Sequence, residues 1–175
     1  MTLPLSDPEF AARAAKIKLF GIDFDGVMTD NRVYVFENGQ EAVVCSRLEG
    51  YGLRRVAAAG VRCVIVSTEE NPVVSARAAK LKIPCHQNIP DKVVAFQSIL
   101  DAYGLTHEQA AFIGNDINDL ELLKRVGLPI IVADAHEDLD GLHAFRTRRK
   151  GGDGAVREAC DAIAAALELN WRKPT

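Results

Sequence analysis

The chain has 175 residues, of which 48 % are hydrophobic and 26 % charged, enough for one domain with a sizeable core. Its 21 Lys and Arg stand against 24 Asp and Glu, a formal charge of −3, which argues against nucleic acid as a partner; the densest basic stretch, RTRRK at 146–150, reads as a solvated loop or strand end. No stretch reaches the ~20 apolar residues of a membrane span, so no membrane partner is expected.

The predicted elements alternate along the chain. Residues 1–18 lack the apolar segment of a secretory signal, and 7–15 read as a short helix with Ser6 or Asp7 as N-cap and Pro8 in its first turn. "IKLFGIDF" at 17–24 is a first buried strand. "RVYVFENGQEAVVCS" at 32–46 carries Asn38-Gly39 between two β-rich runs, the pattern of a hairpin. A helix over 50–59 is closed by Gly60, and "VRCVIVS" at 61–67 is a second core strand. Asn71 and Pro72 open a helix over 71–82. A short strand at 83–86 precedes a helix over 90–103, which Gly104 closes. "AAFIG" at 110–114 is a third core strand, followed by a loop and helix over 115–127; "LPIIVAD" at 128–134 is a fourth, and 154–168 is the last helix. This alternation predicts an α/β fold with a parallel sheet in a single domain over 1–175. Cys45, Cys63, Cys85 and Cys160 are scattered without a CxxC, so neither a zinc site nor a disulfide framework is expected, and a reducing cytoplasm is the simplest compartment. The four histidines do not cluster; His136 reads as a helix-start residue, and Trp171 as a packing anchor.

The chemistry gathers at the strand ends. Asp23 and Asp25 lie two apart and share a face if the strand continues. Two such carboxylates raise each other's pKa unless a cation lies between them, and Gly26 permits a sharp turn directly after them. Ligands of an open parallel sheet bind beyond the carboxyl ends of its strands. The alternative is a capping Asp beside a surface Asp. The second core strand ends in Ser67-Thr68, the third in Asn115, Asp116 and Asp119, and Asp91-Lys92 open a nearby helix. Hard oxygens from two strand ends suit Mg²⁺; a lysine and a hydroxyl suit phosphate oxygens. Together they are the parts of a phosphoryl-transfer site.

DFDGVMTD at 23–30, Ser67-Thr68 after VIV, Asp91-Lys92 and GNDIND at 114–119 resemble, in this order, the four motifs of the haloacid dehalogenase superfamily. EGYGLRRVAAAGV, PDKVVAF, KRVGLPIIVADAH and GGDGAVREACDAI extend the resemblance to its cap-less 3-deoxy-D-manno-octulosonate 8-phosphate phosphatases, over about residues 17–165. The resemblance implies a Rossmann-like three-layer α/β/α sandwich with a mainly parallel sheet, a protruding hairpin at about 32–46 and no cap domain. It implies Asp23 as nucleophile through an aspartyl-phosphate, Asp25 as the acid and base, and Lys92 neutralising charge. Gly26 and Val27 would offer backbone amides to phosphate, Ser67 would bind the transferring group, and Thr68 and Glu69 would form the loop facing the substrate. Mg²⁺ would be held by Asp23, the Asp25 carbonyl and the Asn115, Asp116, Asp119 group. Arg157, behind "RKGGDG", would meet a substrate carboxylate; a surface arginine paired with Glu158 or Asp161 is the alternative, and the paired glycines read equally as an anion-binding loop or a hinge. The hairpin, apolar through Val33, Val35 and Val43, would assemble a homotetramer, unless it folds onto its own domain.

The chain departs from that pattern in three places. Asn115 stands where the family has a directly ligating Asp, Ser67-Thr68-Glu69 where it has Thr-Gly-Arg, and Leu48-Glu49-Gly50 where it has Arg-Asp-Gly. The glutamate is similar to phosphatases of nine-carbon sialic-acid-type sugars, and Gly-Asn resembles the phosphatase-like domain of CMP-sialate synthetases. The substrate expected is thus a phosphorylated 2-keto-3-deoxy sugar acid of eight or nine carbons. The alternative is a catalytically weak or inactive assembly domain associated with activation of such sugars.

Overall fold

The computed structural model describes residues 2–171, with side chains to 168; Trp171 as a packing anchor lies outside the described side chains. In chain order the elements are β1 (Leu3–Pro4), α1 (Pro8–Ala14), β2 (Leu19–Ile22), β3 (Thr29–Val35), β4 (Glu41–Cys45), α2 (Glu49–Ala58), β5 (Arg62–Val66), α3 (Val73–Leu81), β6 (Cys85–His86), α4 (Lys92–Tyr103), β7 (Ala110–Gly114), α5 (Leu120–Leu123), β8 (Leu128–Ile131), β9 (Phe145–Arg146) and α6 (Ala155–Trp171).

Local chemistry accounts for most boundaries. Asp7 accepts the Glu9 amide at 2.8 Å ahead of Pro8, and Asp91 accepts the Val93 and Val94 amides at 2.8 and 3.1 Å; each satisfies donors that a helix start leaves free. α4 closes on Gly104 in the left-handed region, at φ +63°. α3 begins at Val73, later than the sequence suggests, because Asn71 takes the Val73 amide and Pro72 stays outside the helix. His136 caps a single 3₁₀ turn over Glu137–Leu139, accepting the Asp138 amide.

Seven strands form one sheet in the order β1-β9-β8-β7-β2-β5-β6, and every pairing in it is parallel. Two-residue β1 and β9 carry too short a pattern to be read from sequence. Alternate residues of each central strand feed opposite faces. Phe20, Ile22, Cys63, Ile65, Ala111 and Ile113 pack with α1, α2, α3 and α6, whereas Leu19, Val64, Val66, Ala110 and Phe112 pack with α4 and α5. These strands are therefore apolar throughout rather than alternating, as a sheet covered on both faces demands. The result is the expected three-layer sandwich.

β2 is the central strand. Its neighbours β5 and β7 run outward in opposite directions of chain order, so the crevice at its carboxyl end is the topological switch point, where ligands bind in open α/β sheets. Among the described residues, the β3–β4 hairpin alone leaves the sandwich, and no cap domain stands over the crevice.

Candidate active site

Asp23 is the first residue beyond β2. Its amide still joins the ladder, donating to the Ile113 carbonyl at 3.1 Å, while its side chain is buried. The chain then winds about a single acceptor: the Val27, Met28 and Thr29 amides all donate to the Phe24 carbonyl. Gly26 makes this turn at φ +71°, and a Cβ there would lie 2.0 Å from Asn115 Nδ2. Its missing side chain is thus both a backbone freedom and a seat for Asn115. The Gly26 and Val27 amides, expected to cradle phosphate, are found engaged within the turn. Gly26 N–H donates to Thr29 Oγ1 at 3.1 Å and Val27 N–H to Phe24 O at 3.3 Å, so the turn consumes both donors.

Lys92, at the start of α4, reaches in and is 3 % exposed. Its ammonium lies 2.7 Å from Asp23 Oδ1 and 2.7 Å from Asp119 Oδ1. Asp119 Oδ2 accepts the Asn115 amide at 2.9 Å and the Asp116 amide at 3.5 Å. Both oxygens of Asp119 are therefore committed to shaping the loop and holding Lys92. Asp119, expected among the metal ligands, is thus found paired with Lys92: a buried ammonium requires compensating carboxylates, and Asp119 is one of them. Gly114 leaves it room, since a Cβ there would sit 2.4 Å from Asp119 Oδ2.

The free side of Asp23 faces other oxygens. Asn115 Oδ1 lies 3.2 Å from Asp23 Oδ2 and 3.0 Å from the Asp25 carbonyl oxygen. With the amide turned over, Nδ2 would donate to both. Donation from Nδ2 satisfies both oxygens directly; with Oδ1 inward instead, the three acceptors would suit Mg²⁺, whose octahedral bonds of about 2.1 Å space neighbouring oxygens about 3 Å apart. Among the described residues no three His, Cys, Asp or Glu side chains form a metal cluster. The face is made instead of one carboxylate, one carbonyl and one amide, a hard donor set that fits Mg²⁺. Asp116 lines the same cavity, its Oδ1 accepting the Ile117 amide at 2.7 Å.

Electrostatics agrees with the cation requirement. Burial, and then the charge of Asp119, push the Asp23 carboxyl above its usual range, while Lys92 pulls it down. Asp25 is also raised, by burial and by Glu69, with Lys92 opposing. For Lys92, burial disfavours the charged form, but Asp23 and Asp119 outweigh it and hold its pKa above the ordinary lysine value.

A cavity of about 300 Å³ opens over these groups, lined by Asp23, Asp25, Asn31, Thr68, Asn115 and Asp116 among others. Ser67 is buried at the end of β5; its Oγ accepts the Glu69 amide at 3.1 Å, which leaves the hydroxyl proton free to donate. A second cavity of about 300 Å³ shares Asp25 and Asn31 with the first and continues past Arg32, Glu41, Glu69 and Asn71. Arg32, Glu41 and Asn31 were not singled out by sequence reasoning, and Asn71 only as a helix cap; an Asn entering a strand, tolerant of positive φ, is the one local signal Asn31 offers.

Arg157 is not brought to either cavity. It pairs with Asp161 at 2.6 Å, lies over the Tyr51 ring, and lines a separate groove with Leu48 and Arg149. Asp161, one helical turn on at i+4, is the carboxylate it meets. The paired glycines before it are packed closely. A Cβ on Gly151 would lie 1.9 Å from the Gly26 carbonyl, and Gly152 N–H donates to Val27 O at 3.0 Å; they let the tail pack against the Asp23–Thr29 turn.

With this geometry in view, comparison with known proteins locates the chain. A family model described as haloacid dehalogenase-like hydrolase matches residues 85–157. The 3-deoxy-D-manno-octulosonate 8-phosphate phosphatase of Escherichia coli K12 is 35 % identical over 156 residues, covering 89 % of this chain and 83 % of that protein. The crystal structure of the Yersinia pestis phosphatase of the same name superimposes with a TM-score of 0.89 at 36 % identity, over 92 % of this chain and 88 % of that one. That of Moraxella catarrhalis, in complex with magnesium, phosphate and a KDO molecule, superimposes with a TM-score of 0.86 at 28 % identity, over 92 % and 95 % of the two chains.

Proposed function

Because the chain belongs to the haloacid dehalogenase-like hydrolases, as a phosphatase similar along most of its length to 3-deoxy-D-manno-octulosonate 8-phosphate phosphatases, we propose that it hydrolyses the phosphate monoester of an eight- or nine-carbon 2-keto-3-deoxy sugar acid with Mg²⁺ as cofactor. The observation that carries this reading is the junction at Asp23: Lys92 holds one oxygen of its carboxylate, and on the other side the Asn115 amide lies 3.2 Å from Asp23 Oδ2 and 3.0 Å from the Asp25 carbonyl oxygen.

Asp23 Oδ2, the Asp25 carbonyl and Asn115 Oδ1 are the atoms that would hold Mg²⁺, with Asp116 nearby. The ion, when bound, would neutralise phosphate charge and lower the repulsion around Asp23. Asp23 Oδ1, oriented by Lys92 and by the Phe24 amide at 2.7 Å, attacks phosphorus as the bond to the sugar oxygen breaks. Asp25, held above the usual carboxyl range by burial and Glu69, gives its proton to the departing alkoxide. It then takes a proton from water, whose oxygen attacks the aspartyl-phosphate and frees Asp23 and inorganic phosphate. The Ser67 hydroxyl and Thr68 contact phosphoryl oxygens. The same reading gives the substrate loop to Glu69, the compartment to the cytoplasm, where four free thiols are at home, and assembly to a homotetramer built through the hairpin. No helix of the described residues is long and apolar enough to cross a membrane. The alternative of an inactive assembly domain finds no support in the relatives.

The test is a turnover panel with and without Mg²⁺, comparing eight- and nine-carbon keto-acid phosphates with simple sugar phosphates. Preference for the keto acids is expected; equal rates across the panel would remove the substrate assignment, and no release of phosphate from any ester would remove the mechanism.

A further inference from the structure

The two cavities that meet at Asp25 and Asn31 divide the work of any phosphate ester bound here. The first holds Asp23 and the three oxygens, so the phosphoryl group belongs there. The leaving group then extends past Asp25 into the second, and that cleft is unusual in charge. Glu41 and Glu69 line it together with Asp25, and the single cation among its lining residues is Arg32. Glu41 is already engaged by Asn71 Nδ2 at 3.0 Å, and Glu69 by the Asn71 amide at 2.7 Å. Arg32, by contrast, has no ion pair within the described residues, and its backbone amide is tied at 3.2 Å to Asp30.

The backbone explains how a strand residue comes to face this cleft. Thr29 pairs with Cys45, but the next pairing joins Val33 to Val43. Between them β3 has three residues where β4 has one, so two residues are in excess and the hairpin is bulged over 30–32. Asn31, within the bulge, takes φ +63°, a left-handed conformation that costs free energy in any residue with a Cβ. Bulges beside active sites re-aim side chains that regular alternation would send elsewhere. Here the bulge sets Asn31 at the junction of the two cavities and Arg32 along the second.

We propose that Arg32 is a specificity-determining residue that binds the carboxylate of the leaving group, with Asn31 and the 30–32 bulge as the device that aims it. This deepens the sugar-acid reading above and rests on it. An anionic leaving group entering a cleft with three carboxylates needs a compensating cation, and a guanidinium offers a carboxylate two parallel N–H donors. A neutral sugar phosphate has no use for that contact and gains less from it.

The experiment measures kcat/KM for a 2-keto-3-deoxy sugar acid phosphate and for the neutral sugar phosphate of equal chain length, and reads their ratio. In Arg32→Ala the ratio should fall by about 10- to 100-fold, the worth of a charge-assisted hydrogen-bonded pair, with most of the loss in KM for the acid; Arg32→Lys should recover part of it. A ratio equal to that of the unsubstituted protein in Arg32→Ala overturns the proposal, as does an equal loss for both substrates. Should Arg32→Ala not fold, Arg32→Gln keeps the side-chain length, and its ratio decides the question in the same way. If the unsubstituted protein cleaves neutral esters but no sugar-acid phosphate, the underlying reading fails, and the role of Arg32 with it; if it cleaves the acids and the ratio ignores Arg32, only the present inference fails.

Discussion

Glu49 is fully buried at the start of α2, and neither of its carboxyl oxygens has a hydrogen-bond partner. Burial pushes its pKa from 4.5 up to about 8, with Arg77 opposing. The folded protein therefore keeps this proton over a range in which the unfolded chain has released it, and stability falls as pH rises from 4.5 to about 8. Glu49→Gln cannot ionise, so its melting temperature should match that of the unsubstituted protein at pH 4 and exceed it increasingly up to pH 8, as differential scanning calorimetry would show. Asn115 makes a second prediction at this scale. Its side-chain amide meets Asp23 Oδ2 and the Asp25 carbonyl; turned oxygen-inward it would be a neutral metal donor, and a carboxylate there would add a charge. Asn115→Asp should lower the Mg²⁺ concentration giving half-maximal turnover by about tenfold, read from a metal titration; an unaltered titration would mean that position 115 does not meet the ion.

Single elements carry their own constraints. Gly21 lies mid-strand in β2 because Phe96 of α4 and Phe112 of β7 close over it: a Cβ would approach their rings at 2.5 and 2.7 Å. Gly21→Ala should destabilise the fold by about 1–3 kcal/mol, the usual toll of overpacking, measured by urea denaturation. The hairpin is the opposite case, apolar without cover. Val33, Tyr34, Val35 and Phe36 are each half or more exposed, whereas Val43 and Cys45 of its second strand pack on the core. A contiguous apolar strand of this kind is an interaction site or a liability. Under the tetramer proposal, Tyr34→Glu combined with Phe36→Glu should convert the assembly to monomers in sedimentation velocity; an unchanged sedimentation coefficient would count against the hairpin as the contact.

At the scale of the whole molecule, the sandwich holds a repulsive cluster in its central crevice, to which the proposed function assigns two cations. Lys92 is built in, between Asp23 and Asp119; the second is the proposed Mg²⁺. A ligand that binds only the folded state stabilises it by mass action, about 2.7 kcal/mol at a hundredfold excess over its dissociation constant. Added Mg²⁺ should therefore raise the melting temperature. In Asp23→Asn the shift should shrink, turnover should cease, and the circular dichroism should be retained. A Mg²⁺-independent melt in the unsubstituted protein would show that the crevice tolerates its carboxylates by other means.

The order of strands and helices, the caps at Asp7 and Gly104, and the gathering of Asp23, Asp25, Ser67, Lys92 and Asn115 at strand ends were all legible in the sequence, because periodicity, capping and the carboxyl-end rule act over neighbouring residues or follow from topology. Four matters were decided by tertiary structure alone. Asp119 pairs with Lys92, the Gly26 and Val27 amides donate within their own turn, Arg157 pairs with Asp161, and Arg32 lies along the cleft beside a bulge. In each case a polar group had several partners of suitable chemistry, and which one it met was set by distances across the fold, which one-dimensional spacing does not contain. The same holds for the two-residue strands β1 and β9, whose pairing with the sheet edge exists only once the chain has closed on itself.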